Sequence, residues 1–253
     1  MSQTQPEFRE WEYMRYDIHP DELGEALSVF YEKGFKGLNL TLPHKVHALD
    51  LIESVDPSAA LMGAVNTLVR TETGYKGYNT DGFGLSMAVE EAFGVPMKNY
   101  PVVLLGAGGA SRAIATQCLL EKVPFLYIGN RNQDRLQNLV NQLPETGVPV
   151  TAFDITNPPQ EFPDNCLIIN ATSLGLKEED PSPVSLEVFK GNCVVYDATY
   201  GVAGNGLSRE ALRRGFPYCS GLGMLVWQGA KALEYWTQSA VPVQAMRNAL
   251  ETV

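Results

Sequence analysis

The spacing of apolar and polar positions divides the first third of the chain into short elements of both kinds. His19-Pro20-Asp21-Glu22 places a proline and two acids in a first helical turn, and Leu23, Leu27 and Phe30 recur at helical spacing up to Gly34, which predicts a helix over about 20–33. Leu38-Asn39-Leu40-Thr41-Leu42 alternates until Pro43 stops it, the pattern of a strand with Asn39 and Thr41 on one face. Val46, Leu49 and Ile52 then mark a helix with Lys45 near its start. Val65 to Val69 and Tyr75 to Tyr78, joined by Thr71-Glu72-Thr73-Gly74, predict a hairpin, and Asp81-Gly82 opens another helix.

The pattern changes around Pro96 to Tyr100, where a boundary between two domains is expected. Beyond it, the apolar run Val102 to Leu105 meets Gly106-Ala107-Gly108-Gly109 and a helix containing Ile114, Cys118 and Leu119. Apolar runs at Phe125 to Ile128, Leu167 to Ile169 and Val194 to Tyr196 alternate with helical stretches, which is how a parallel sheet with crossover helices reads. The tail from Leu225 is helical with an interruption near Pro242. The fold class is therefore α/β with two domains.

Length and composition fit this picture and narrow the partners. The 253 residues are 45% hydrophobic and 19% charged, a globular balance far from that of disordered chains. Lys plus Arg number 19 against 29 Asp plus Glu, a net charge of -10, so a general nucleic-acid or anionic-membrane surface is disfavoured while a local basic pocket stays open. Cys118, Cys166, Cys193 and Cys219 lie in apolar stretches without ligand spacing and read as buried reduced thiols, hence a cytoplasmic protein. Met1 to Glu12 has no apolar targeting core, and no stretch has eighteen uninterrupted apolar residues.

Candidate chemistry starts at the glycine turn. Gly106, Ala107, Gly108, Gly109 and Ala110 follow a predicted strand and open a helix, so a pyrophosphate can approach the backbone at a positive helix terminus. The third fingerprint position is Ser111, not glycine, and a ligand-free turn is the bland alternative. After the next strand, where NAD enzymes commonly place an acid, Arg131 stands and Arg135 follows, a pair suited to the ribose phosphate of NADP; otherwise they are two solvated arginines.

Lys45 near a helix start sits at the positive end of a dipole, which would lower its proton affinity and suit a proton shuttle, although alone it reads as a surface lysine. Asp81 reads either as a helix cap or, if it faces Lys45, as half of a pair handling a proton beside a carbonyl. Asn66 is either a turn amide or a substrate ligand. His44 and His47 have no further ligands at metal spacing, no metal is expected, and a serine hydrolase lacks its nucleophile elbow.

Taken in order, Asn39-Leu40-Thr41-Leu42-Pro43-His44-Lys45, Ala64-Val65-Asn66-Thr67, Asn79-Thr80-Asp81-Gly82, Gly106-Ala107-Gly108-Gly109-Ala110 and Asn130-Arg131 resemble the shikimate dehydrogenase family. Asn170-Ala171-Thr172-Ser173, Tyr196-Asp197-Ala198-Thr199-Tyr200 and the segment Gly221 to Gln228 extend the resemblance over nearly the whole chain from about Trp11. It implies a substrate domain of residues 1–97 plus 226–253, completed by returning C-terminal helices, and a Rossmann-like NADP domain of residues 98–225.

The implied reaction is reversible reduction of 3-dehydroshikimate to shikimate with NADPH, a step towards chorismate and the aromatic amino acids, in a monomer or homodimer. By the same resemblance Lys45 and Asp81 are the catalytic pair, and Thr41, Asn66, Asp81, Tyr200 and Gln228 contact the substrate. Gly106 to Ala110 hold the pyrophosphate, Asn130, Arg131 and Arg135 the adenosine phosphate, and Ala198 and Gly221 the nicotinamide side.

The chain departs from the family at its start. Members normally begin with a strand and a Ser-x-Ser-Pro segment that binds the substrate carboxylate, whereas Met1-Ser2-Gln3-Thr4 leads almost directly to Trp11-Glu12-Tyr13-Met14. That motivates one competing expectation, an impaired or truncated member that binds NADP without efficient turnover; a related reductase of another small carbonyl is a further alternative, against which Lys45, Asp81 and Gln228 all match the family.

Overall fold

The computed structural model of the chain describes residues 10–199 and 204–251. Tyr200 and Met1-Ser2-Gln3-Thr4 lie outside them. The chain divides into two compact units, Met1–Thr80 with Val226–Val253, and Asp81–Leu225. The expected end of the first domain at residue 97 differs from the division at Thr80 by helix α4 (Asp81–Phe93), which packs on helix α5 (Gly109–Leu120) of the second unit. The second unit ends at Leu225 and the first resumes at Val226.

In the first unit, a 3-10 turn at Pro20–Glu22 leads into α1 (Leu23–Glu32), whose Leu23 and Leu27 are buried. Then come β1 (Gly37–Asn39), α2 (His44–His47), β2 (Ser54–Val55), α3 (Pro57–Met62), β3 (Thr67–Arg70) and β4 (Tyr75–Tyr78). The predicted hairpin is present: β3 pairs antiparallel with β4, Leu68 opposite Gly77, and the turn is closed by the Thr71 amide on the Gly74 carbonyl. β3 also pairs with β1, giving the order β1-β3-β4-β2. Leu23, Leu27, Ala48, Val65, Leu68 and Tyr75 form the core.

Two elements are shorter than the periodicity predicts. The strand expected to Leu42 ends at Asn39, because after the Leu40 amide bonds the Asn66 carbonyl the chain turns away, the His44 amide closing on the Thr41 carbonyl. The helix expected through Ile52 is one α-turn followed by a 3-10 turn at Ala48–Asp50. Pairing of β2 with β4, and the Glu53 amide on the Tyr75 carbonyl, draw this stretch into the sheet, so tertiary hydrogen bonding overrides the helical spacing. Leu49 and Ile52 still pack on the core, whereas Val46 is 56% exposed.

The second unit continues with β5 (Val102–Leu105), α5, β6 (Leu126–Asn130), α6 (Gln133–Asn141), β7 (Val150–Asp154), β8 (Leu167–Asn170), β9 (Val194–Asp197), α7 (Gly206–Arg214) and β10 (Tyr218–Ser220). All pairings are parallel, in the order β10-β9-β8-β5-β6-β7. The sheet starts at its centre, grows outward through β6 and β7, then returns to β8 on the other side of β5. That reversal is the Rossmann arrangement, whose ligands lie at the carboxyl ends of the strands beside the switch point. Every residue of β5, β8 and β9 is buried, which explains their unbroken apolar runs.

Helix α8 (Leu222–Thr237) begins in the second unit and continues in the first, where α9 (Val243–Glu251) follows Pro242. Within the first unit the Trp236 indole N–H donates to the Leu68 carbonyl at 2.8 Å. Gly37 leaves room for that indole: a Cβ there would stand 1.9 Å from Trp236 Nε1. All four cysteines are free; Cys118, Cys166 and Cys193 are buried, and Cys219 is half-buried because it lies on edge strand β10. Among the described residues no helix is long and apolar enough to cross a membrane.

Candidate functional site

The first unit gathers polar residues where β3 begins. The Asn66 backbone is fixed on both sides, its amide donating to the Tyr78 carbonyl and its carbonyl accepting from the Leu40 amide. Its side chain, 2% exposed, is engaged as fully: Oδ1 accepts the Thr80 amide at 2.9 Å, and Nδ2 donates to Thr80 Oγ1 at 3.0 Å and Gln228 Oε1 at 3.3 Å. Thr67 and Thr80 are also buried and donate through their hydroxyls to Asn66 Oδ1. Buried amides and hydroxyls paired this completely hold one geometry. Spacing did not reveal Thr80; its signal was the Asn79-Thr80-Asp81-Gly82 motif.

Lys45 enters this neighbourhood through its backbone, whose carbonyl accepts the Val65 amide at 2.8 Å, one residue before Asn66. Its side chain is half-buried in the short α2, which follows a cis Leu42–Pro43 peptide. With four residues, α2 has little of the macrodipole that a longer helix would apply to the lysine. Thr41 is exposed, and His44 Nε2 lies 3.0 Å from the Ile18 carbonyl. Asp81 is half-buried in the first turn of α4, so its carboxylate is inside the helix start and not the residue before it. It belongs to the second unit, directly after Thr80, whose amide Asn66 holds.

In the second unit, the carboxyl ends of β5, β6, β9 and β10 carry the other candidates. Gly106 has φ +117°, and a Cβ on it would stand 2.9 Å from the Ala171 carbonyl oxygen, so glycine lets the ends of β5 and β8 meet. Its amide donates to the Gly129 carbonyl at 2.7 Å. Gly108 and Gly109 are exposed, and a Cβ at either would meet no atom within 4 Å. The turn therefore presents open backbone at the start of a twelve-residue helix, the setting in which phosphate oxygens are bound. The Gly108 amide also reaches Ser111 Oγ at 3.2 Å, which gives the residue standing in the third glycine's place a part in the turn.

Asn130 ends β6 and donates to the Asn132 carbonyl at 2.7 Å, while Asn132 Oδ1 caps α6 by accepting the Arg135 amide at 2.9 Å. Arg131 and Arg135 are exposed on this turn, so both guanidiniums are free of burial and can meet a phosphate from solvent. With the open glycine turn one strand away, these residues fit a dinucleotide carrying a ribose phosphate. Ala198 is half-buried after β9, and buried Gly221 donates its amide to the Thr199 carbonyl at 3.1 Å. Asp197, the last residue of β9, is fully buried and accepts from Tyr218 at 3.1 Å; burial, then the Asp197 charge, pushes the Tyr218 phenol up. Among the described residues no three His, Cys, Asp or Glu gather as a metal site.

Comparison with known proteins accounts for this distribution of motifs. The model of the shikimate dehydrogenase substrate binding domain matches residues 4–68, and that of the shikimate 5'-dehydrogenase C-terminal domain matches residues 221–251. The shikimate dehydrogenase (NADP(+)) of Symbiobacterium thermophilum is 38% identical over 245 residues, 94% of this chain and 82% of its own length. The shikimate 5-dehydrogenase of Thermus thermophilus, solved in complex with NADP(H) and shikimate, is 34% identical with a TM-score of 0.78, covering 94% of this chain and 86% of that one. A ligand-free 5-ketofructose reductase of a Gluconobacter species is 31% identical with a TM-score of 0.83, covering 95% and 87%. At this identity and coverage, this chain belongs to the shikimate dehydrogenase family.

Proposed function

We propose that the chain is an NADP-dependent shikimate dehydrogenase that reversibly reduces 3-dehydroshikimate to shikimate, a step towards chorismate and the aromatic amino acids. The observation that carries this reading is the joining of Asn66, Thr80 and Gln228, drawn from three separate motifs, in the segment leading to Asp81. Relatives named for the same reaction, one solved with both NADP(H) and shikimate, support it.

In this reading Thr41, Asn66, Tyr200 and Gln228 bind the carboxylate, ring or hydroxyls of the substrate and fix its orientation. Lys45 delivers the proton to the carbonyl oxygen and offsets the negative charge that develops there, and Asp81 is the second proton-handling group. Gly106 to Ala110 hold the pyrophosphate, Asn130, Arg131 and Arg135 hold the ribose phosphate, and Ala198 and Gly221 lie at the nicotinamide end. When bound, the cofactor supplies a hydride to the carbonyl carbon or takes it back. Orientation and electrostatics from the protein supply the rest of the rate.

The test is shikimate oxidation by the purified chain, followed as NADPH formation with NADP or NAD supplied. NADP-dependent turnover is expected. Cofactor binding without turnover would favour the impaired reading, and a clear preference for 5-ketofructose over 3-dehydroshikimate would move the chain to a different substrate.

A further inference from the structure

We propose that Asp197 is a positioning residue that sets the backbone on which the nicotinamide end of the cofactor rests. The proposal depends on the reading that Ala198 and Gly221 lie at that end. Asp197 is the last residue of β9 and is fully buried. Its Oδ1 accepts from Asn170 Nδ2 at 2.9 Å, from the Thr199 amide at 3.1 Å and from Thr199 Oγ1 at 2.9 Å. Its Oδ2 accepts from Asn205 Nδ2 at 3.0 Å and Tyr218 Oη at 3.1 Å. All five partners donate, which suits an acceptor-only carboxylate and no neutral side chain of the same shape.

The donors come from the end of β8, the residues after β9, the cap of α7 and the start of β10. Asn170 ends β8 and turns the following loop, donating also to the Leu174 carbonyl at 2.7 Å and accepting the Thr172 amide at 3.0 Å. Asn205 caps α7 through the Ser208 amide and donates also to the Gly175 carbonyl at 3.2 Å. Gly175 has φ +110°, and a Cβ there would lie 3.0 Å from both Asp197 Oδ2 and Asn205 Nδ2, so the loop after β8 presses directly on the carboxylate. Tyr218 begins β10, which ends one residue before Gly221.

The carboxylate thereby fixes Thr199, and Thr199 fixes Gly221. The Gly221 amide bonds the Thr199 carbonyl at 3.1 Å, and a Cβ on Gly221 would stand 2.7 Å from that oxygen and 2.9 Å from the Ala198 carbonyl. Ala198 is held between two anchored neighbours, its own amide on the Asn170 carbonyl at 2.8 Å, while its side chain stays half-buried. A rotation of the 197 carboxyl would therefore act first on the nicotinamide end, since none of its five donors comes from the glycine turn after β5 or the Arg131 loop after β6.

The experiment compares two ligands on the purified full chain: NADP, and adenosine 2′,5′-bisphosphate, which has the adenosine and ribose phosphate but no nicotinamide. Asp197→Asn turns one acceptor into a donor facing Asn205 or Tyr218, and Thr199→Val removes one hydroxyl bond with little change of shape. The expected result is a dissociation constant for NADP raised about tenfold or more in Asp197→Asn and less in Thr199→Val, with that for the bisphosphate within about twofold of wild type in both. Equal weakening of both ligands, or of neither, overturns the proposal. If Asp197→Asn does not fold, Thr199→Val decides by the same ratio. Wild-type protein that fails to bind NADP would instead overturn the reading of the cofactor site and the proposal with it; a wild type that binds NADP while the variants keep its ratio of affinities overturns only the role of Asp197.

Discussion

Asn66 Nδ2 donates to Gln228 Oε1 at 3.3 Å although the two residues are 162 positions apart in sequence. The bond ties the segment before β3 to α8, and the same Asn66 side chain holds the Thr80 amide through its oxygen. Removing this amide should loosen three chain segments at once. Asn66→Ala is expected to cost about 1–3 kcal/mol, because buried partners lose their hydrogen bonds, and to raise the KM for shikimate. Thermal unfolding and steady-state kinetics check both effects, and an unchanged melting temperature would remove Asn66 from its central place.

The proposed function gives Lys45 the proton and not the cofactor. Lys45→Ala should lower kcat by about 10²–10⁴-fold while the dissociation constant for NADP stays near that of wild type. Stopped-flow turnover and NADP titration separate the two quantities. Wild-type turnover in this variant would contradict the assignment.

Arg131 and Arg135 stand exposed on the turn after β6, where charge-assisted bonds to a phosphate add to affinity only if the phosphate is present. Arg131→Ala should reduce the preference for NADP over NAD by about tenfold or more, chiefly by weakening NADP. The ratio of kcat/KM values for the two cofactors is the measurement. If that ratio holds, the arginine is merely solvated.

Gly106 combines a φ of +117° with a position at which a Cβ would lie 2.9 Å from the Ala171 carbonyl oxygen. Gly106→Ala therefore strains the backbone and pushes the ends of β5 and β8 apart, at a cost of about 1–3 kcal/mol before any ligand is added. A melting temperature lowered by several degrees in the free protein is expected. No change would mean that the turn relaxes without cost.

The Lys177 amide, then the Gly175 amide, hold the Asp180 carboxyl below its ordinary value of 3.8; both lie on Oδ2, at 3.0 and 2.9 Å. A folded-state value below the unfolded one stabilises the fold above pH 3.8 and loses that contribution as pH falls through the folded value. The melting temperature of wild type should therefore exceed that of Asp180→Asn at neutral pH, with the gap closing below about pH 4. A gap independent of pH would show that the charge on Asp180 contributes nothing.

Much of this was legible in the sequence where a residue's local pattern and its final environment agree. Val102 to Leu105 reads as a buried strand because it is central and covered on both faces. Strands β7 and β10 went unread because edge position leaves them half-exposed, so Val150–Asp154 and Tyr218–Ser220 carry no apolar run. The helix expected through Ile52 failed for another reason: its spacing is helical, but hydrogen bonds from β4, over twenty residues further on, decide its conformation.

The site divides the same way. Gly106 to Ala110 announce themselves, since a glycine turn between a strand and a helix is a local signal. Thr80 and the donors around Asp197 do not, because Asn170, Asn205 and Tyr218 meet only when three separate strands and a helix start are assembled. Motif order carried Asp197 in the resemblance without giving it a task.

The glycine turn also separates two kinds of selection. Gly106 is demanded by the backbone and its neighbour, whereas Gly108 and Gly109 face open space in which a methyl group would touch nothing. A library screened only for soluble, folded protein should be intolerant at position 106 and nearly blind at 108 and 109. Screened for growth that depends on the cofactor, the same library should close all three positions, and the difference between the two screens would outline the ligand without a ligand-bound structure.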